Sequence, residues 1–298
     1  MSVFSNAEAT PSRVVGVYRY LLRARGQRES KDTLERLMMP EPLLKKEEQD
    51  RNPRSMVRFA LLEGVEMRLF QLHDDEYAVH PDLPAPARTP GSAEARLGLT
   101  FSDLILSSEN SRNQDLAIVL SWYLSQDVGS APGDWTSVER QVVADTGEKL
   151  GLNDASFGQV RDWSRAVGLA WAHDNPAATS RLWLVPDPTA QIRWRLAEIF
   201  GSVGARIRIQ DFVAALGRLC PVLETGVFRE QMEARLGVVR GTRLSTTTAF
   251  ALLRLQDEGV LELTLRSDAD AMILPDGSED VRVSEIAWKA APATEALA

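Results

Sequence analysis

Phe59-Ala60-Leu61-Leu62-Glu63-Gly64-Val65-Glu66-Met67-Arg68-Leu69-Phe70 reads as a helix that stops at a glycine and turns at once into a strand. The same grammar returns at Trp163-Ser164-Arg165-Ala166-Val167-Gly168-Leu169-Ala170-Trp171. It comes back at Leu253-Arg254-Leu255-Gln256-Asp257-Glu258-Gly259-Val260-Leu261-Glu262-Leu263. Gly64, Gly168 and Gly259 each suit the left-handed position that ends a helix, because glycine has no Cβ to clash there. An apolar residue follows each one (Val65, Leu169, Val260) and begins the strand. The spacings of 104 and then 91 residues predict three related units in tandem.

Working outward from the first junction, Pro11 opens a helix whose apolar face runs through Val14, Val15, Val17, Tyr18, Leu21 and Leu22 to Gly26. Ser30 or Asp32 caps a second helix, with Asp32 and Glu35 at capping-box spacing and Pro40 and Pro42 ending it. A third begins near Asn52-Pro53 and carries Met56, Val57, Ala60 and Leu61. A strand over 66–72, the turn His73-Asp74-Asp75-Glu76 and a return strand over 77–80 complete a two-stranded wing. This layout predicts a winged helix-turn-helix domain over residues 1–90. The prolines at 81, 84, 86 and 90, with Gly91, read as a linker.

Residues 91–190 form the second expected domain, with helices over 116–124, 136–150 and 153–167 and a wing on either side of Asp174-Asn175-Pro176. Thr136 and Glu139 have capping-box spacing at the second of these helices. The third domain, 191–298, has helices over 191–200, 210–219, 228–236 and 245–258, then strands over 260–266 and 281–288 around a polar loop. Its alanine-rich tail, 290–298, reads as disordered. The expected fold is mainly α with small β-hairpin wings, an α+β chain of tandem winged helix-turn-helix units.

Composition narrows the function. No apolar run approaches the ~20 residues of a membrane helix, the N-terminus lacks a secretory pattern, and Cys220 is the only cysteine. A cytoplasmic protein without membrane contact is expected. The net charge of −8 argues against a generally basic nucleic-acid binder. Its distribution is uneven: residues 91–190 carry 7 basic and 13 acidic side chains, whereas 193–254 hold ten arginines against five acids. No phosphate loop, His-Glu-x-x-His, Gly-x-Ser-x-Gly or Cys-x-x-Cys occurs, so a non-enzymatic protein without cofactor or metal is expected. Asp74-Asp75-Glu76 reads as a solvated turn, and the seven tryptophans read mainly as core.

Two basic sets are candidate DNA- or partner-binding surfaces. Arg51, Arg54 and Arg58 fall on one face of the first unit's third helix, with Arg68 on the adjacent strand and Lys45 and Lys46 just before the helix. Arginines so placed reach phosphates or guanine edges, although Glu47, Glu48, Asp50 and Glu63 equally permit an ordinary solvated face. The second set is Arg206, Arg208, Arg240, Arg243 and Arg254, joined by Ser245 and Thr246 at a helix start, where phosphate is favoured. An acidic protein groove would use the same groups.

The opening Pro11-Ser12-Arg13-Val14-Val15-Gly16-Val17-Tyr18-Arg19-Tyr20-Leu21-Leu22 and the winged helical units resemble the DpdG family. These are accessory proteins encoded with the bacterial Dpd system, which places 7-deazapurines in DNA. The resemblance implies a non-catalytic subunit of a prokaryotic DNA-modification and restriction defence assembly, with no family site residues to carry over. Tandem winged-helix subunits of chromosome-organising complexes offer a second analogy at the level of fold. The leading expectation is a DNA-binding or adaptor subunit whose partners are double-stranded DNA and other subunits of the same system. A winged-helix transcriptional regulator and a purely protein-binding scaffold are the alternatives.

Overall fold

The computed structural model describes residues 8–44, 54–107, 114–174, 182–267, 269–277 and 279–289; Lys45, Lys46 and Arg51 lie outside them. The fold is mixed, with helices and small antiparallel sheets, and the chain divides into two compact units, Met1–Ile105 and Leu106–Ala298. No described helix is long and apolar enough to cross a membrane.

The first unit contains α1 (Pro11–Arg23), β1 (Arg28–Ser30), α2 (Lys31–Met38), α3 (Ser55–Glu66), β2 (Phe70–His73) and β3 (Glu76–Val79). Three short helices follow, α4 (Ala85–Arg88), α5 (Pro90–Ala95) and α6 (Leu97–Ile105). Val14, Tyr18, Leu21, Leu34, Leu61 and Phe70 are fully buried, and each such side chain contributes roughly 1.5–3 kcal/mol of transfer free energy. β1 is absent from the sequence reading, because Arg28-Glu29-Ser30 has no apolar alternation. It pairs with β3, giving the strand order β1-β3-β2. Ser30, not Asp32, caps α2 by accepting from the Thr33 amide. Asp32 instead pairs with Arg36, while Glu35 turns inward.

The expected linker over 81–96 is a packed strap. Leu83, Ala87 and Ala93 are buried, the Tyr18 hydroxyl donates to the Ala87 carbonyl, and Gln27 donates to the Arg88 carbonyl at 2.7 Å. Pro84 stands at the N-cap of α4, and Pro86 and Pro90 sit in the first turns of α4 and α5, where a missing N–H costs nothing. Such a string resembles a spacer in sequence. Arg19 binds Glu94 and holds its carboxyl below the usual carboxylate range. That exposed tie is complete at neutral pH and is lost as acidification protonates Glu94.

The second unit holds α7 (Gln114–Tyr123), α8 (Trp135–Thr146), α9 (Asp154–Ala166), β4 (Ala170–Asp174), β5 (Leu182–Pro186) and α10 (Thr189–Phe200). It continues with β6 (Arg206–Arg208), α11 (Ile209–Leu219), α12 (Val227–Leu236), α13 (Thr246–Asp257) and β7 (Leu261–Thr264). β8 (Met272–Asp276), β9 (Glu279–Val283) and β10 (Glu285–Trp288) close it. Asp134 with Ser137 forms the capping box of α8, in place of Thr136 with Glu139, and Asn153 with Ser156 forms that of α9. Middle and C-terminal segments share one core: Thr247 donates to the Leu124 carbonyl at 2.7 Å and buried Arg229 to that of Ser121 at 3.4 Å. The expected polar loop after β7 folds into the β8–β9 hairpin, whose Leu274 and Val283 are buried.

The three helix-to-strand junctions are real, but the first lies four residues beyond Gly64. α3 runs through Gly64 to Glu66, and the left-handed residue is Arg68 at φ 63°, matching Gly168 at 70° and Gly259 at 72°. In each case the left-handed residue donates to the carbonyl three residues back (Val65, Arg165, Gln256). The next residue donates five back (Leu69 to Gly64, Leu169 to Ser164, Val260 to Leu255). This is the Schellman closure. Leu69, Leu169 and Val260 then each accept from the chain leaving the return strand, at His80, Asp187 and Lys289. Gly64 is small for another reason: a Cβ there would stand 2.2 Å from the Phe70 ring.

Arg68 bears the steric cost that glycine avoids elsewhere, roughly 1 kcal/mol. Its ion pair with Asp82 is about 70% exposed on both sides and contributes little. Arg68→Gly should therefore raise the melting temperature of this unit by about 4 °C, read by calorimetry; an unchanged or lower value contradicts the assignment.

With the register corrected, the two ends of the chain repeat closely. Phe59-Ala60-Leu61-Leu62 and Phe250-Ala251-Leu252-Leu253 each begin nine residues before the left-handed position. The sheet β6-β10-β7 reproduces β1-β3-β2 in order. Ser30 faces Glu76 as Arg208 faces Glu285, and Phe70 faces Val79 as Leu261 faces Trp288. The C-terminal copy adds α12 and the β8–β9 hairpin.

Candidate interaction site

Most of the candidate arginines bind carboxylates of their own unit. Arg58 makes a two-pronged pair with Glu35 at 2.7 and 2.9 Å, which raises its pKa, and the Glu35 side chain is 6% exposed. Removing Arg58 would leave a buried carboxylate uncompensated, so this residue fixes α2 on α3. Arg54 donates to the Met39 carbonyl at 3.2 Å. Arg206 bridges Glu262 and Glu285, Arg208 holds Asp211, and Arg243 holds Asp280. Arg254 reaches Asp187 at 3.0 Å and Glu258 at 3.2 Å.

Arg240 joins a buried charge cluster. It and Arg229 share one oxygen of Glu233, with Arg229 at 2.6 Å. Arg229 is fully buried; burial pushes its pKa below the ordinary value, against the opposing pull of Glu224 and Glu233. The start of α13 is likewise satisfied internally. The Ser245 hydroxyl meets the Glu224 carboxylate and accepts from the Thr248 amide, while Thr246 accepts from the Val128 amide at 3.2 Å. Glu224 thus fills the anionic role that a phosphate would take at this helix end.

The outer faces of the corresponding helices each carry an apolar pair beside a partly exposed arginine, Arg58 on α3 and Arg254 on α13. Leu62 is 50% and Phe250 40% exposed, and Phe59 and Leu253 are half-buried. Phe59 with Leu62, and Phe250 with Leu253, stand three residues apart and so adjoin on one helix face. The sequence reading passed over both pairs, since aromatic and leucine residues in a helix default to core. Their repetition was the available signal, hidden by placing the first junction at Gly64. Among the tryptophans, Trp122 and Trp163 are core as expected, whereas Trp171 is exposed.

Fold and surface together define a chain of helical units closed by small antiparallel sheets, with self-neutralised arginines and repeated apolar pairs. Residues 1–269 match the family model described as DpdG-like, and the chain belongs to that family, which points to a protein of the Dpd system. It matches no curated protein and no solved structure.

Proposed function

We propose that the chain is a non-catalytic adaptor subunit of the Dpd DNA-modification and restriction assembly, with winged-helix units at both ends and a reduced one between. The order α1-β1-α2-α3-β2-β3, with strands β1-β3-β2, supports the winged-helix reading. The single observation that carries the adaptor role is the repeated pair of partly exposed apolar side chains on α3 and α13, the helices that lead into the two matching junctions. In a DNA-reading unit such a helix face meets base edges; here it offers phenylalanine and leucine, which suit the desolvated centre of a protein interface.

Duplex DNA contact is the second reading. Arg68 and Arg208 are more than two-thirds exposed, and such surface pairs can exchange a carboxylate for a phosphate at little cost. Co-expression of the tagged chain with the other Dpd-system proteins separates the two. The adaptor reading expects a stoichiometric complex that survives 0.5 M salt. Failure to form one, together with steeply salt-dependent duplex binding, would favour the DNA reading.

A further inference from the structure

At the base of the β4–β5 hairpin a groove of about 490 Å³ opens beside α10. Arg165, Trp171, Asp187, Arg193, Trp194 and Arg254 line it. Gly168 makes the space: a Cβ there would stand 2.6 Å from the Trp194 ring, so only glycine lets the indole lie across the junction. Trp171 is 44% exposed, the most open of the tryptophans, and its ring is held beside His173 at 5.2 Å between centroids.

The charges around these rings are unevenly committed. Asp187 is spent: one oxygen accepts from the amide and hydroxyl of Thr189, the other from Arg254. Glu258 is shared by Arg193 and Arg254. Arg165 is exposed and makes no ion pair among the described residues. Arg193 is mostly buried and already paired with Glu258. An open indole face beside an uncommitted guanidinium is complementary to a flat base linked to a phosphate.

We propose that this groove holds one nucleotide of single-stranded DNA, with its base stacked on Trp171 and its phosphate on Arg165. A duplex does not suit it, because paired bases keep their faces inside the stack. Phe59, Leu62, Phe250 and Leu253 do not line the groove, and neither tested groove residue, Trp171 or Arg165, lies on α3 or α13. Loss of strand binding and loss of partner capture are therefore read by different variants, and the proposal stands or falls apart from the adaptor reading.

The test is a titration of the full chain against a fluorescein-labelled eight-nucleotide oligothymidylate, with tryptophan quenching read in parallel. The same measurement is made with an eight-base-pair duplex, thymidine monophosphate and an oligoglutamate competitor. The expected result is single-strand binding at least tenfold tighter than duplex binding, and several-fold tighter than mononucleotide binding because the strand offers overlapping registers to a one-nucleotide site. Trp171→Ala and Arg165→Ala should each weaken it about tenfold with unchanged melting, and Trp171→Phe should restore most of the loss. Equal affinity for duplex, equal affinity for the mononucleotide, displacement by oligoglutamate at matched charge, or indifference to both substitutions would overturn the proposal.

Discussion

Gly64→Ala is expected to destabilise the Met1–Ile105 unit by about 3 kcal/mol, lowering its melting temperature by at least ~12 °C. The sign is informative. In an open helix interior, glycine-to-alanine stabilises by roughly 0.5–1 kcal/mol. Here the new methyl would meet two atoms of the Phe70 ring at 2.2 Å, and that ring is fully buried where β2 leaves the junction. It cannot swing to solvent, so strain exceeds propensity. Pairing the change with Phe70→Leu should recover part of the loss, giving a coupling energy that a propensity effect would lack. Calorimetry of the four variants reads this directly; a neutral or stabilising Gly64→Ala would remove the close approach on which the geometry of α3 and β2 rests.

The second large effect is on association. Phe59→Asp and Phe250→Asp should each weaken capture of the Dpd-system partner by more than thirtyfold, the loss expected of an aromatic anchor at an interface centre. Both positions are partly exposed, so melting should move little. Arg208→Ala is the matched control: its charge is exposed and already bound to Asp211, and partner affinity should change less than threefold. An arginine-driven interface would reverse that order.

Much of the fold was legible because helix ends and hairpins are local chemistry. Gly168 and Gly259 announce their closures through a backbone conformation that other residues avoid, and Asn153 announces α9. Arg68 gives no such sign: nothing in the sequence marks an arginine as left-handed, whereas a glycine four residues earlier invites the wrong register. β1 and β6 were invisible for a related reason. Each is three residues long and exists only because a distant return strand offers partners. The strap over 81–96 was misread because prolines serve linkers and helix starts alike.

The candidate surface was less legible than the fold. Spacing placed Arg54 and Arg58 on one helix, but Arg54 stands at the cap before α3, and the partners of the two, the Met39 carbonyl and buried Glu35, belong to α2 and its C-terminal cap. Likewise no local pattern announces that Glu224 fills the start of α13. Charge counts in sequence describe supply; pairing decides what remains for a partner.

Hydrogen exchange read by mass spectrometry, comparing the chain alone with its complex with co-expressed Dpd-system proteins, tests the adaptor account most directly. Protection is expected over α3 and α13, centred on residues 56–62 and 247–254, and absent in the Phe59→Asp and Phe250→Asp variants. Unchanged exchange in both helices, with new protection confined to the arginine-bearing strand β6 and appearing only on addition of duplex DNA, would contradict it.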